Sequence, residues 1–182
     1  MPEWDDRDII EGFSTPGKEE IAFNQLVSKY QERMYWHIRK IVLDHDDSDD
    51  VLQNTMIKVW RSLASFRSES GLYTWLYRIA TNEALSFLKQ KKKKSFPSWV
   101  DMEGQMSEDL EADAWFEGDE IQLKLQKAIL KLPEKQRIVF NMKYFDDVKY
   151  EEMSKILGTS VGALKASYHH AVKKIESMLE ND

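Results

Sequence analysis

The segment from residue 96 to residue 120 interrupts the helical pattern that runs through the rest of this sequence. Pro97, Gly104 and Gly118 punctuate it, and it contains acidic side chains but no lysine or arginine. Such a composition is typical of a linker. We therefore predict an all-α protein in which two small helical domains are joined by an acidic linker. The predicted boundaries are a lead-in that can fray at 1–20, a first domain at 21–95, the linker at 96–120 and a second domain at 121–182.

The charge of the chain is distributed unevenly along its length. The formal net charge is -6, but residues 21–95 carry a net charge of +5 and residues 124–182 a net charge of +3. A total that looks unsuited to nucleic acid therefore hides two basic modules. This pattern of signs says more about the partners than the total does.

Two absences limit the kinds of site that the sequence can form. It contains no cysteine, which excludes a disulfide framework and a thiolate metal site. No run of about eighteen apolar residues is present. We therefore expect a cytoplasmic chain without membrane insertion, and nothing in the sequence predicts a metal or a cofactor.

The first predicted domain begins with two amphipathic helices. Apolar side chains recur at three- and four-residue steps from Ile21 to Val42, and the motif HDDSDD then supplies turn formers and N-caps for a second helix. The predicted buried face of this second helix consists of Leu52, Met56, Val59, Trp60 and Leu63. Its polar residues Asp49, Asp50, Gln53, Asn54 and Arg61 lie off that face. On spacing alone, they form a solvated surface.

The stretch from Ser65 to Lys94 combines aromatic, polar and basic residues. It predicts a helix with a buried stripe made of Trp75, Leu76, Ile79, Ala80 and Ala84. Thr74, Arg78 and Asn82 are predicted to share an exposed face that can hydrogen-bond to phosphates and base edges. Tyr73 and Tyr77 flank this face and a lysine run follows it, a combination suited to single-stranded nucleic acid. Alternatively, the aromatic residues belong to the core and the lysines to a solvated helix end.

The second predicted domain contains a helix-turn-helix pattern. One helix carries Leu125, Ala128, Ile129 and Leu132, and the next, which starts at Pro133 and Glu134, is buried by Ile138, Val139, Met142 and Phe145. A short helix then ends at Gly158, in a position that favours a left-handed residue. The final helix buries Val161, Leu164, Tyr168, Ala171, Ile175 and Leu179. Such geometry also occurs in plain helical bundles, so the pattern alone leaves DNA binding open.

Taken in order, these segments resemble the extracytoplasmic-function group of bacterial RNA polymerase sigma factors, within the sigma-70 family. The resemblance to region two is carried by AFNQLVSKYQERMYWHIRKI, DSDDVLQNTMIKVWRSL and FRSESGLYTWLYRIATNEALSFL. The resemblance to region four is carried by LPEKQRIVFNMKYFDDVKYEEMSKILGTSVGALKASYHHAVKKI. The similarity covers roughly residues 21–94 and 124–179.

This resemblance implies roles for residues of the first domain. The partners that it implies are promoter DNA and core RNA polymerase, through the large clamp subunit and the flap. The implied polymerase-binding residues are Asp49, Asp50, Gln53 and Asn54. In such factors the loop that matches residues 66–72 holds a base flipped out of the minus-ten element. The implied minus-ten residues are Phe66, Arg67, Ser70, Leu72, Tyr73, Trp75, Arg78 and Asn82.

The recognition helix departs from the common pattern of the family. The residues expected to face the minus-thirty-five element are Ser160, Ala163, Lys165, Ala166, Ser167, His169, His170 and Lys173. They include none of the arginines that usually contact guanine with two hydrogen bonds. We expect a weaker or differently specified readout, in which Lys165, Lys173 and Lys174 contact phosphates.

The sequence is also compatible with one competing function, and the resemblance implies one further partner. A stand-alone helix-turn-helix regulator would bind duplex DNA without polymerase, but it leaves the aromatic loop unexplained. An enzyme has no support, because the sequence contains no glycine-rich phosphate loop, no HExxH motif and no cysteine nucleophile. Members of the group are often held by an anti-sigma protein, so such a protein is an expected partner here.

Overall fold

The computed structural model describes residues 4–94 and 120–180, and within these ranges it contains helices and no strand. The helices are α1 (Asp6–Phe13), α2 (Glu19–Val42), α3 (His45–Leu63), α4 (Leu72–Lys94), α5 (Glu120–Leu130), α6 (Glu134–Tyr144), α7 (Tyr150–Leu157) and α8 (Val161–Glu180). The chain forms two compact units, the first ending at Lys89 and the second beginning at Gln90. The predicted all-α class with two helical domains is confirmed. The predicted linker lies almost entirely outside the described residues, so the exact domain boundaries stay predictions.

The N-terminal segment contains a helix that the sequence analysis missed. Residues 1–20 were interpreted as a lead-in, whereas α1 forms between Asp5 and Ser14 and packs on α2. A capping box starts α1, since the Asp5 carboxylate accepts from the Asp8 amide at 2.8 Å and the Asp8 carboxylate accepts from the Asp5 amide at 3.2 Å. Ile9, in the middle of α1, is fully buried. The interpretation as a fraying lead-in is therefore wrong for residues 6–13.

A partly buried hydrogen bond links α1 to α2. The Tyr30 hydroxyl donates to Oδ1 of Asp6 at 2.7 Å, and Nζ of Lys29 lies 2.8 Å from the same oxygen. Burial of the Tyr30 phenol, together with its bond to the Asp6 carboxylate, raises the pKa of Tyr30. The phenol therefore stays protonated and keeps donating at neutral pH.

The buried face of α3 differs from the predicted one. The residues that face the core are Ser48, Val51, Thr55, Val59 and Leu63. Leu52 and Met56 are half-buried, and Trp60 is 42% exposed. The Trp60 ring lies edge-on to Phe13 of α1 and Phe23 of α2, with centroid distances of 5.2 and 5.0 Å. The predicted face was rotated because apolar spacing did not anticipate the burial of the polar Ser48 and Thr55. The Thr55 hydroxyl is satisfied within the helix, since it donates to the Val51 carbonyl at 2.7 Å.

The predicted polar face of α4 is also only partly correct. Leu76, Ala80 and Ala84 are buried as expected, and Trp75 and Ile79 are half-buried. Thr74 and Tyr77, however, are only 3% and 1% exposed. The Tyr77 hydroxyl donates to the carbonyl of Arg33 on α2 at 3.1 Å, which satisfies the polar group inside the core. Tyr77 therefore belongs to the contact of α4 with α2, and Thr74 is buried instead of exposed.

A second polar contact links α2 and α4. Oγ1 of Thr81 donates to the Tyr77 carbonyl at 2.7 Å and lies 2.7 Å from Nε2 of the buried His37. The Thr81 hydroxyl therefore joins the His37 ring of α2 to the backbone of α4.

We expect Thr81→Val to lower the free energy of unfolding by about 1–3 kcal/mol, because it removes the hydroxyl that hydrogen-bonds to Nε2 of the buried His37. Urea denaturation measures this change. Thr81→Ser is the matched control, since it keeps the hydroxyl and should cost less. Equal losses for the two variants would contradict the hydrogen-bond assignment.

The second unit is built around a cluster contributed mainly by α5, α6 and α8. Its buried members are Ala128, Ile129, Leu132, Phe140, Ala171 and Ile175. Ile138, Val139 and Met142 are buried as predicted, whereas Phe145 and Leu179 are each 38% exposed. Phe145 follows the last residue of α6, which explains why it is not part of the buried face of that helix.

The turn between α7 and α8 depends on glycine. Gly158 has a φ of 64°, the predicted left-handed conformation, and its amide donates to the Ser154 carbonyl at 3.0 Å. We expect Gly158→Ala to lower the free energy of unfolding by about 1 kcal/mol, since a Cβ strains this backbone.

Gly162, in the first turn of α8, is the control for this substitution. A Cβ at either glycine meets no other atom within 4 Å, so only the backbone conformation distinguishes them. Gly162→Ala should stabilise the unit by up to about 1 kcal/mol. Thermal melting measures both changes, and shifts of the same sign would contradict the account of the turn.

Candidate functional site

The loop between α3 and α4 has a defined conformation. The Phe66 amide donates to the Leu63 carbonyl at 3.1 Å, and Ser68 has a φ of 57°, which is uncommon for a residue with a side chain. The Phe66 ring lies 5.1 Å from that of Trp75 on α4. The ring contact holds Phe66 against the first turn of α4.

The predicted minus-ten residues differ in their exposure. Arg67 and Asn82 are exposed, Phe66, Ser70, Tyr73, Trp75 and Arg78 are half-buried, and Leu72 is buried. All of them except Leu72 present some surface beside or along α4. Leu72 is 2% exposed and packs in the core, so its side chain supports the loop from below.

One arginine of α2 contacts an aromatic ring of α4, and a second arginine lies on α4 itself. The guanidinium of Arg33 on α2 is 5.0 Å from the ring centre of Tyr73, which in turn lies 4.4 Å from the Tyr77 ring. Nε of Arg78 is buried without a hydrogen-bond partner among the described residues. Arg78 therefore retains a hydrogen-bond donor that the described part of the protein does not satisfy.

The predicted polymerase-binding residues share the outer side of α3. Asp44 caps this helix by accepting from the Asp47 amide at 2.8 Å, so all of HDDSDD lies inside the helix. Asp49 is half-exposed and lies 3.8 Å from the His45 ring. Asp50, Gln53 and Asn54 are exposed on successive turns. Together they form an acidic and amide surface away from the core.

The outer face of α8 collects nearly all of the predicted minus-thirty-five residues. Ser160 starts the helix, since its hydroxyl accepts from the Ala163 amide at 3.3 Å. The exposed members are Ser160, Ala163, Lys165, Ala166, His169, His170 and Lys173, while Ser167 is half-buried. Nζ of Lys165 lies 5.8 Å from the Tyr150 ring of α7. The second helix of the helix-turn-helix thus presents cationic, imidazole and small side chains outward.

A cleft that the sequence analysis missed lies between α1 and the loop. It has a volume of about 460 Å³. The lining includes Asp6, Arg7 and Glu11 on the α1 side and Phe66, Ser68 and Ser70 on the loop side. The signal that could have found its α1 wall is the capping pair Asp5 and Asp8 before the apolar Ile9 and Ile10.

Both units match known protein families. Residues 26–94 match the Sigma-70 region 2 family, and residues 122–175 match the Sigma-70 region 4 family. The RNA polymerase sigma-H factor of Pseudomonas aeruginosa is 31% identical over 169 residues, covering 87% of this chain and 86% of that protein. The chain belongs to the extracytoplasmic-function sigma factors of the sigma-70 family. The ECF RNA polymerase sigma-E factor of Escherichia coli K12 is 30% identical to this sigma factor, with 87% of each protein covered.

Solved structures share the fold of this sigma factor. CnrH in complex with the cytosolic domain of CnrY has a TM-score of 0.69 at 21% identity, covering 97% of this chain and 98% of that chain. The sigma factor RpoE of Bartonella quintana, in complex with the anti-sigma factor NepR, has a TM-score of 0.66 at 23% identity. That match covers 88% of this chain and 98% of that chain. These likenesses show the same helical architecture.

Membership of this family defines the general activity. Sigma factors are transcription initiation factors and not enzymes, and this one binds core RNA polymerase and promoter DNA. None of the helices described here is long and apolar enough to span a bilayer.

Proposed function

We propose that this sigma factor reads the minus-ten element with the α3–α4 loop and α4, and the minus-thirty-five element with α8. The observation that carries the proposal is the conformation of residues 66–72. A loop held by its Phe66 amide and by the Phe66–Trp75 contact offers a shaped surface before any DNA arrives. Preformed surfaces lose less entropy on binding, which helps to offset the few kcal/mol that extruding a base costs.

The side chains along α4 supply the remaining minus-ten contacts in this proposal. Arg78 has an unsatisfied donor, and Asn82 is exposed one turn later. A guanidinium suits phosphate or guanine, and an amide suits adenine. Stacking of a base on a half-buried aromatic ring is worth about 1–3 kcal/mol, which favours the melted strand without nucleotide hydrolysis.

We propose that the outer surface of α3 binds the large clamp subunit of the polymerase. Asp50, Gln53 and Asn54 are exposed and polar, and they lie on the opposite side of α3 from its buried Val51, Thr55 and Val59. A partner can therefore contact them without disturbing the core. The second unit is proposed to bind the flap.

The readout by α8 is proposed to be dominated by phosphate contacts. Lys165 and Lys173 are exposed, but no arginine occupies the outer face of α8. The exposed His169 and His170 are adjacent in sequence and so point in different directions. Discrimination at minus-thirty-five should therefore be weaker than at minus-ten, and binding there should fall steeply with salt.

A protein inhibitor is a further proposed partner. One solved structure of the same fold is a complex with the anti-sigma factor NepR, and another is a complex with the cytosolic domain of CnrY. In the present chain, Ile21, Ile57 and Trp60 are large apolar residues that are 51%, 48% and 42% exposed. Exposed apolar side chains of this kind suit a protein partner.

Binding to duplex promoter DNA with and without core polymerase tests the proposal against a stand-alone regulator. We expect sequence-specific binding only for the chain combined with core polymerase. Tight, specific binding of the chain alone, unchanged by core polymerase, would favour the regulator instead. The control is a variant in which Lys165 and Lys173 of α8 are both changed to alanine. Its DNA binding shows how much of the affinity depends on the charge of these lysines.

A further inference from the structure

Helix α1 forms one wall of the cleft between α1 and the loop, and several contacts hold this helix in place. Helix α1 is fixed at its start by the Asp5–Asp8 capping box and on its side by the Tyr30–Asp6 hydrogen bond of 2.7 Å. Ile9 is fully buried, which holds the helix against the bundle. The α1 side of the cleft is therefore anchored on α2.

Charged side chains line this wall. Arg7 and Glu11 are exposed, lie one turn apart on α1 and both line the cleft. Asp6 also lines it, but its carboxylate already accepts from Tyr30 and Lys29. Arg7 and Glu11 are therefore the α1 groups available to contact a ligand.

The opposite wall is of a different kind. It consists of the Phe66 ring with the hydroxyl-bearing Ser68 and Ser70. An aromatic ring offers stacking to a flat ligand, and serine hydroxyls hydrogen-bond to its edge or to a phosphate. At about 460 Å³ the cleft is within the range of small-molecule sites, and so has room for a nucleobase.

We propose that α1 forms the second wall of the site for the extruded minus-ten base, where Arg7 and Glu11 select cytosine or guanine. This inference rests on the proposed function of the loop. In the usual side-chain pairings, arginine donates to O6 and N7 of guanine and a carboxylate accepts from N4 of cytosine. Adenine is usually read by amide side chains, and thymine has no amino group for a carboxylate.

The test is transcription by core polymerase and this sigma factor from promoters randomised across the minus-ten element, with sequencing of the RNA-producing templates. For the unaltered chain we expect enrichment of cytosine or guanine at one position. The double variant Arg7→Ala Glu11→Ala should lower that enrichment by about tenfold and leave the other positions unchanged. It removes one charge of each sign, so it preserves the net attraction to DNA.

Two further variants control for folding and charge. Lys18→Ala Glu20→Ala removes an equally neutral pair of exposed residues at the start of α2 and should change no base preference. Arg7→Lys keeps the charge but not the planar fork, so it should give partial loss at the same position. Thermal melting of each variant verifies that it folds.

The outcomes separate the inference from the function on which it rests. If the unaltered chain supports no specific initiation, the proposed function fails and the inference with it. If it initiates but enriches neither base at any position, or if the double variant keeps the enrichment, only the inference fails. A uniform loss of output without a change in base preference also overturns it, because α1 then acts only as structural support.

Discussion

Replacing Asp50 and Gln53 together by alanine should weaken binding of the chain to core polymerase by about 100-fold. Both side chains are exposed on α3, and their neighbours Val51 and Thr55 remain buried. The substitution therefore removes contacts with the partner and leaves the core intact. Losing two interface side chains at about 1–2 kcal/mol each gives a change of this size.

Fluorescence anisotropy with labelled sigma factor and increasing core polymerase measures this effect. Glu20→Ala is the control, since it removes an exposed acidic residue from α2, away from the α3 surface. The double variant should melt at the same temperature as the unaltered chain. Unchanged affinity in a folded double variant would contradict the proposed polymerase surface.

Changing Arg78 to alanine should lower initiation from duplex promoters by about 10- to 100-fold. Arg78 is half-buried, so part of its guanidinium stays accessible to a DNA phosphate or base. A hydrogen bond to a charged group contributes about 1.5–3 kcal/mol when its partner is present. Arg78→Lys should recover only part of the activity, because lysine lacks the planar fork.

Initiation rates on a single promoter at fixed salt measure this prediction. Arg61→Ala is a suitable control, because it removes an exposed arginine from the last turn of α3. Both variants lose one positive charge, so a general electrostatic effect would lower their rates equally. Equal losses would therefore contradict a specific role for Arg78.

Apolar periodicity was sufficient to predict the main helices because each of them buries one stripe against its neighbours. The stripes from Ile21 to Val42 and around Leu76 lie on regular helices, and the left-handed Gly158 was predictable from its place after Leu157. These features depend on local spacing and backbone conformation, which the sequence contains directly.

The errors arose where a contact depends on a helix that the sequence analysis did not anticipate. The contact of Trp60 with Phe13 of α1 was therefore not predicted. The helix α1 itself is short, and Gly12, Pro16 and Gly17 concealed it among turn formers. The cleft was missed for the same reason, since one of its walls is α1.

Buried polar residues explain the remaining differences. Thr74 was predicted to be exposed because it falls at helical spacing with Arg78 and Asn82. Tyr77 was predicted to flank that face, with burial in the core as the alternative. The structure buries Tyr77 by giving its hydroxyl a backbone acceptor on α2. Which polar group finds such a partner depends on tertiary packing, and spacing alone does not contain it.

The most direct measurement of promoter recognition is transcription by core polymerase with and without this chain. It uses one promoter and versions of it in which one element is scrambled. We predict specific initiation only with the chain present, nearly complete loss when the minus-ten element is scrambled, and a smaller loss when the minus-thirty-five element is scrambled. Specific initiation that survives scrambling of the minus-ten element would contradict the proposed reading of that element. The absence of specific initiation with a core polymerase that the chain binds would contradict promoter recognition itself.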